Sequence, residues 1–267
     1  MSKLDSLKKT ILEQYPRLKA DDKFQFACHP GVSCFNQCCS DVNIFLTPYD
    51  VLRLKNHLGI DSQEFIDKFT QLIADQNQPL PLVQLRMNDN DIKDCFFVDP
   101  EKGCTVYDNR PWSCRMYPVG QASPKESEEF KNEKFYFILH EDVCKGFEEG
   151  ESWTITDWMK NQGVEEYDKF GEMFKEIAFH DFFKQGKVLT PQKVEMFFLA
   201  CYNLDRFREF IFGTTFLKRF DVSKTTIDKI KNDDEELLKF GFEWLRFSLF
   251  GEKTIKIKDK DIKGKKV

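Results

Sequence analysis

The cysteines constrain this chain more than any other feature of its sequence. Eight of the nine lie between Cys28 and Cys144, and four of these fall within the twelve residues from Cys28 to Cys39. Thiolate is the softest ligand that a protein offers, and clustered thiolates in a reducing compartment usually bind zinc or an iron–sulfur cluster. We therefore predict that metal coordination organises the middle of the chain.

Composition narrows the class of protein. The chain has 267 residues, of which 41% are hydrophobic, so it can bury a hydrophobic core without the help of disulfide bonds. A net charge of −5 argues against a uniformly basic, nucleic-acid-binding surface. The sequence has neither a secretory signal nor the run of about 20 apolar residues that spans a bilayer. We therefore expect a cytoplasmic protein with reduced thiols, and the odd number of cysteines also argues against a disulfide framework.

Local patterns predict a mixture of helices and short strands. Helical spacing at 3–18 and the N-cap residues Thr47 and Asp61 predict three helices before residue 74. A loop-rich stretch follows, and β-branched and aromatic residues predict short strands at 82–87, 94–99, 104–107 and 134–140. Beyond Trp153 the sequence is helical, with helices expected at 157–183, 190–213, 223–232 and 234–250.

These patterns together predict an α+β fold. We expect a small cysteine-rich module of strands and loops that binds metal, flanked by helices and followed by a helical C-terminal half. The predicted regions are a cysteine-cluster domain with N-terminal helices over 1–150, a helical region over 151–252, and a mobile, lysine-rich tail over 253–267.

The cysteines form two blocks in the sequence. The first is Cys28-x5-Cys34-x3-Cys38-Cys39, and the second is Cys95-x8-Cys104-x9-Cys114, followed by Cys144. Four thiolates close both a structural zinc site and a cubane cluster. Neighbouring side chains of an extended backbone point to opposite sides, so the adjacent pair favours two different centres. Two four-cysteine centres and one enlarged cluster both remain open. The predicted metal ligands are Cys28, Cys34, Cys38, Cys39, Cys95, Cys104, Cys114 and Cys144.

The identity of the metal is less constrained than its ligands. Zinc favours short CxxC knuckles, and this sequence has none. Iron–sulfur clusters tolerate irregular spacing in turn-rich loops, so we favour a 4Fe-4S cluster and keep zinc as the alternative. His29 and His140, each close in sequence to a cysteine, are candidates for a substitute ligand or a hydrogen-bond donor. The isolated Cys201 lies in an apolar helical pattern and is predicted to belong to the core.

Two arginines flank one of the predicted ligands. Arg110 and Arg115 bracket Cys114, where they could offset the negative charge of a thiolate site. They could also pair with Asp99 and Asp108, and we favour these ion pairs.

The most distinctive string is GCTVYDNRPWSCRMYP over 103–118. It resembles the G-C-x-I-Y-x-x-R-P-x-x-C-R-x-x-P motif of the YkgJ-like cysteine-cluster family, whose members are described as zinc- or iron-chelating. Phe26 and Cys28 open that family's first motif, which Cys38 and Cys39 close with longer gaps than usual. The CFF string at 95–97 resembles its second motif, and Cys144 its final cysteine. The resemblance spans about 22–147.

Three functions stay open. The first is a metalloprotein that transfers electrons or depends on a cluster, with the helical half as scaffold or protein-binding surface. The second follows a family branch similar to flagellin lysine-N-methylase, an S-adenosylmethionine-dependent enzyme, although no glycine-rich cofactor cradle follows a predicted strand here. The third is a structural zinc module for protein interaction. Metal ions are the expected partners, with a protein partner possible, and catalytic residues stay unassigned.

Overall fold

A computed structural model of the chain describes residues 15–73, 79–122 and 134–258. Within these ranges the α-helices are α1 Pro48–Leu58, α2 Ser62–Phe69, α3 Trp112–Met116, α4 Ile155–Asn161, α5 Glu165–Ala178, α6 Asp181–Lys184, α7 Pro191–Tyr202, α8 Leu204–Gly213, α9 Phe216–Arg219, α10 Lys224–Asn232 and α11 Asp234–Phe250. Gln37–Cys39 and Tyr107–Asn109 are 3-10 helices. The strands are β1 Lys23–Phe26, β2 Thr70–Ile73, β3 Leu82–Leu85, β4 Val98–Asp99, β5 Gly103–Cys104, β6 Val119–Ala122, β7 Phe135–Ile138, β8 Glu151–Thr154, β9 Phe220–Asp221 and β10 Lys256–Ile257.

The predicted α+β class is confirmed. The strands pair as short antiparallel ribbons, in the order β1–β8, β2–β3, β4–β5, β6–β7 and β9–β10. The cysteine-bearing N-terminal region is rich in strands, and the C-terminal half is helical. Most of the predicted helix over 3–18 and of the tail lies outside the described residues. Across the ranges that the structure describes, no helix is both long enough and apolar enough to cross a membrane.

Helix starts agree with the sequence because they depend on local capping. The Thr47 hydroxyl accepts a hydrogen bond from the main-chain N–H of Asp50, whose carboxylate accepts one from the N–H of Thr47 at 2.7 Å. This reciprocal capping box begins α1, and Gly59, at φ 66°, ends it. Asp61 caps α2 through the N–H of Glu64.

Two helix predictions were too long. The helix after Asp61 was expected to continue to 73, but it ends at Phe69, because residues 70–73 pair with β3 as strand β2. The helix over 190–213 is interrupted at Asn203, whose side chain accepts a hydrogen bond from the N–H of Arg206 and caps α8. In both places a pairing or cap replaces a helical pattern that could have continued.

The chain divides into two compact units that interleave along the sequence. The first comprises Met1–Ile44 and Arg86–Glu166, and the second comprises Phe45–Leu85 and Tyr167–Val267. Helices α1 and α2 therefore belong to the unit that holds the C-terminal helices. The boundaries predicted at residues 150 and 252 stay a prediction.

The first unit holds all eight clustered cysteines around a small aromatic core. Phe26 at the end of β1 is buried and makes an edge-to-face contact with Trp158 of α4, with ring centroids 5.5 Å apart. Burial of a side chain of this size contributes about 1.5–3 kcal/mol. The indole N–H groups donate to main-chain carbonyls, Trp158 to Met116 and Trp153 to Phe26. Buried Cys144 packs into the same cluster, so this core fixes one of the predicted ligands.

The second unit packs its helices around a core of phenylalanine and leucine. Gly241 of α11 permits close approach to α7, because a Cβ at this position would lie 2.7 Å from the carbonyl oxygen of Ala200. The buried Lys55 pairs with Asp205 at 3.3 Å and with Asp234 at 2.7 Å. Arg208 contacts the same two carboxylates. This ionic network ties helices from the N-terminal and C-terminal halves of the sequence within one unit.

Candidate metal centre

The first cysteine block lies on a series of tight turns. The N–H of Gly31 donates to Nδ1 of His29 at 3.1 Å, so this imidazole organises the loop. The N–H of Cys39 donates to the carbonyl of Asn36 at 3.0 Å, which closes the 3-10 helix Gln37–Cys39. Our expectation of diverging side chains assumed extended backbone at Cys38 and Cys39, which was wrong. The two thiols of this 3-10 helix hydrogen-bond each other, and the division of the pair between two centres stays a prediction.

The second cysteine block is carried by a hairpin and a short helix. Cys104 ends β5 and pairs with Val98 of β4, and the turn between these strands is closed by the Asp99 carboxylate, which accepts hydrogen bonds from two main-chain N–H groups. Cys114 lies in α3, whose N-cap is Pro111. A cis peptide bond joins Tyr117 and Pro118 just beyond this helix.

Four cysteines form what we call the first thiol group. Its members are Cys28, Cys34, Cys38 and Cys144. The Cys34 sulfur accepts a hydrogen bond from the main-chain N–H of Lys145 at 3.1 Å, which brings it beside Cys144. Cys28 is an exposed residue, but protein atoms around its sulfur partly desolvate the thiol. This desolvation and the charges of the other three thiols raise the pKa of Cys28 to about 11. Burial also raises the pKa of Cys144, and the charges of Cys34 and Cys38 add to that rise.

The remaining four cysteines of the cluster form the second thiol group. Its members are Cys39, Cys95, Cys104 and Cys114. The N–H of Cys95 donates to the carbonyl of Cys39 at 2.9 Å. Burial raises the pKa of Cys95, and the charge of Cys104 contributes to that rise. The pKa of Cys39 is raised by its hydrogen bond with Cys38 and by burial, with further contributions from Cys114 and Cys95.

The adjacent cysteines join the two groups. The thiols of Cys38 and Cys39 hydrogen-bond each other, which lowers the pKa of Cys38 and raises that of Cys39. The two groups consequently meet at one peptide unit, and each contains cysteines from both sequence blocks.

Main-chain N–H groups donate to several of the sulfurs. Three cysteines accept a hydrogen bond from the residue two positions later: Cys95 from Phe97, Cys104 from Val106 and Cys144 from Gly146. Each of these bonds lowers the pKa of its thiol and so favours the thiolate, the form that ligates metal. The main-chain N–H of Lys145 donates a hydrogen bond to the Cys34 sulfur. Amide-to-sulfur hydrogen bonds are a principal means by which a protein tunes a thiolate-bound centre.

The two arginines are buried, but their observed bonds differ from those we favoured. Arg115 donates to the main-chain carbonyls of Asp108, Arg110 and Gln162. Arg110 donates to the side chain of Gln162 and stacks on the Tyr107 ring, 3.7 Å from its centroid. These contacts hold the loop that precedes α3.

Arg110 also acts on the thiols. Desolvation of the sulfurs raises the pKa of Cys28 in the first thiol group and of Cys104 in the second, and the positive charge of Arg110 partly offsets that rise. Burial lowers the pKa of Arg110 itself, while the charges of Cys104 and Cys114 favour its charged form. The alternative in which this arginine offsets thiolate charge is therefore supported by the structure.

Two contributors to the site were not assigned from the sequence. Tyr117 donates its hydroxyl hydrogen to the Glu141 carboxylate at 3.3 Å and also hydrogen-bonds the Cys144 thiol. Gln162, at the C-terminal end of α4, accepts a hydrogen bond from Arg110 with its side chain and one from Arg115 with its main-chain carbonyl. The position of Tyr117 three residues after Cys114 was an available signal, whereas nothing in the local sequence marks Gln162. His140 stacks on Phe147 with ring centroids 4.3 Å apart.

The donor set fits a soft metal, although its sulfurs are not arranged as a finished coordination sphere. All nine cysteines lie in the described residues, and each is a free thiol. Cys201 is fully buried in the second unit, which confirms it as a core residue. Among the residues that the structure describes, no three side chains of His, Cys, Asp or Glu converge as a ready-made metal site. The fit therefore rests on the chemistry of eight neighbouring thiols and on the amides that donate to them.

The comparisons with known proteins agree with this chemistry. The family model CxxCxxCC, described as "Putative zinc- or iron-chelating domain", matches residues 27–145. Neither a curated protein nor a solved structure matches the chain. The matched residues include all eight clustered cysteines and the motif over 103–118, and they exclude Cys201. Residues 27–145, a little under half of the 267, are therefore similar to this zinc- or iron-chelating domain.

Proposed function

We propose that this protein binds iron–sulfur clusters of the 4Fe-4S type through its eight clustered cysteines, and that it transfers electrons or depends on these clusters for its activity. The observation that carries the proposal is the set of main-chain N–H groups aimed at cysteine sulfurs, at Cys34, Cys95, Cys104 and Cys144. Such bonds stabilise anionic sulfur in partly buried surroundings, where an unpaired thiolate would be costly.

The backbone around the first block favours a cluster over zinc. The segment 28–39 consists of consecutive turns and a 3-10 helix, without the short CxxC knuckle that zinc modules use. Iron–sulfur centres accept such irregular ligand spacing. Cys28 is exposed at the surface of the first unit, and that exposure supports exchange of electrons with a partner. A reducing compartment such as the cytoplasm keeps these thiols available for metal, and we place the protein there.

Anaerobic purification followed by elemental analysis tests the proposal. We expect iron and acid-labile sulfide in equal amounts, with broad visible absorption that bleaches on reduction with dithionite. The Cys201→Ala variant is the matched control, because its thiol is buried in the second unit and should leave the metal content unchanged. Stoichiometric zinc in a colourless protein would instead support the structural zinc module. A protein without bound metal after anaerobic reconstitution would refute metal binding altogether.

A further inference from the structure

We propose that the eight cysteines form two separate four-thiolate centres, one from the first thiol group and one from the second. This assignment rests on the proposed metal binding and adds which cysteines share a centre. Neither centre corresponds to a block in the sequence. The first takes Cys28, Cys34 and Cys38 with the distant Cys144, and the second takes Cys39 with Cys95, Cys104 and Cys114.

Backbone contacts bring the members of the first centre together independently of their charges. The N–H of Ala27 donates to the carbonyl of Gly146 at 2.9 Å, and the N–H of Lys145 donates to the Cys34 sulfur at 3.1 Å. The first bond is adjacent to Cys28, and the second is adjacent to Cys144. The pairing of β1 with β8 holds the same two stretches of chain in register. Three ligands are thus fixed around the turn that follows Cys144.

A different set of contacts assembles the second centre. The N–H of Cys95 donates to the carbonyl of Cys39 at 2.9 Å, and Ser40 and Asp94 form a β-bridge beside it. The N–H of Val98 donates to the carbonyl of Cys95 at 3.1 Å, and Val98 in turn pairs with Cys104 across the β4–β5 ribbon. Cys39, Cys95 and Cys104 are therefore linked through consecutive backbone contacts.

Cys114 joins the second centre from α3. Its charge acts on Cys39, and together with Cys104 it acts on Arg110. The buried guanidinium of Arg115, the next residue, donates to the carbonyl of Arg110 at 3.1 Å, which fixes the start of this helix against the preceding loop.

The adjacent pair on the 3-10 helix Gln37–Cys39 is divided between the two centres in this assignment. The thiols of Cys38 and Cys39 hydrogen-bond each other, and each would exchange that bond for ligation in its own centre. The neighbouring backbone supports the division. The Cys39 carbonyl accepts a hydrogen bond from the N–H of Cys95, whereas the turn before Cys38 is closed by the bond from the N–H of Gln37 to the carbonyl of Cys34. The peptide between Cys38 and Cys39 is therefore the link between the centres.

Metal content of paired variants tests the assignment. We expect the wild-type protein to hold two centres, and Cys34→Ser or Cys104→Ser to hold one each. The double variant Cys28→Ser/Cys34→Ser, within one group, should retain as much metal as Cys34→Ser alone. The double variant Cys34→Ser/Cys104→Ser, across groups, should lose nearly all of it. Equal loss in the two double variants, or complete loss in each single variant, would overturn the assignment while leaving metal binding intact.

Thiol protection in the wild-type protein gives a second test that needs no variant to fold. The apo protein is loaded with Co²⁺ at half of its measured capacity, alkylated with iodoacetamide, and analysed by peptide mass spectrometry. The assignment predicts that protection of Cys28 correlates with that of Cys144, and that protection of Cys104 correlates with that of Cys114. Simultaneous protection of all eight thiols would instead establish one enlarged centre. A wild-type protein that binds no metal would refute the underlying function, which is a distinguishable result.

Discussion

Replacing Gly146 with alanine should weaken the first unit where the first thiol group is assembled. A Cβ at this position would lie 2.3 Å from the carbonyl oxygen of Ala27, whereas ordinary contacts begin near 3.4 Å, so the two backbones would have to separate by about 1 Å. That movement disrupts the 2.9 Å hydrogen bond from the Ala27 N–H to the Gly146 carbonyl. Cys28 would consequently move away from Cys144.

The expected magnitude follows from two contributions. Overpacking of a well-packed site costs about 1–3 kcal/mol. Loss of a main-chain hydrogen bond costs about 1 kcal/mol more. Gly146→Ala should therefore lower the free energy of unfolding by about 2–4 kcal/mol, which moves a urea midpoint down by about 1–2 M at a slope of about 2 kcal/mol/M.

Tryptophan fluorescence during urea unfolding measures this loss, because Trp112, Trp153 and Trp158 all lie in the first unit. Gly171→Ala is the control for the substitution itself. A Cβ there would meet nothing within 4 Å, so the gain in helix propensity should stabilise α5 by about 0.5–1 kcal/mol. Both variants are compared at the same metal occupancy. An unchanged or raised midpoint for Gly146→Ala would refute the close packing of these two backbone segments.

Three further predictions concern the second unit. Lys55→Met removes the buried ammonium from Asp205 and Asp234 and leaves their charge uncompensated. The variant should lower the free energy of unfolding by about 2–4 kcal/mol, measured by urea unfolding followed at Trp244. An unaltered midpoint would contradict the network. Burial opposes ionisation of both aspartates, but their hydrogen bonds and Lys55 lower each pKa below the unfolded value of about 3.9. The stabilisation that these ionised aspartates contribute is therefore complete above that pH and is lost as pH falls through the folded pKa. The urea midpoint followed at Trp244 should be constant from about pH 5 to 7 and decline below about pH 4. In Lys55→Met the decline should be less steep. Cys201→Ala should lose about 1 kcal/mol in the same assay through a small cavity, while elemental analysis finds the wild-type metal content.

Local rules recovered the helix starts and some helix ends, such as those at Asn232 and Phe250, but not the end of the helix after Asp61. Thr47, Asp61 and Thr190 cap the predicted helices because each cap involves residues three or four positions apart. The helix after Asp61 stops early because Thr70 pairs with Leu85, a partner that the helical spacing of 62–73 does not reveal. Pairing of residues 70–73 with β3 therefore outweighed their helical pattern.

The sequence predicts the candidate ligands but not how they are arranged. Thiolate chemistry and spacing single out the eight clustered cysteines as candidates. Which of them are neighbours depends on contacts such as Ala27 with Gly146 and Cys39 with Cys95, which join residues more than 50 positions apart. The bonds of Arg110 and Arg115 to Gln162 are equally remote in sequence, so local patterns could only offer nearby aspartates instead.

The pairing of Lys23–Phe26 with Glu151–Thr154 has a consequence for biosynthesis. A ribosome releases the cysteines at 28–39 long before the strand that completes this ribbon, and it makes residues 45–85 of the other unit in between. The thiols at 28–39 are therefore synthesised before their eventual neighbours, and more than one hundred further residues are translated before the ribbon can form. During that interval the nascent protein depends on its surroundings to keep them reduced and free of the wrong ion.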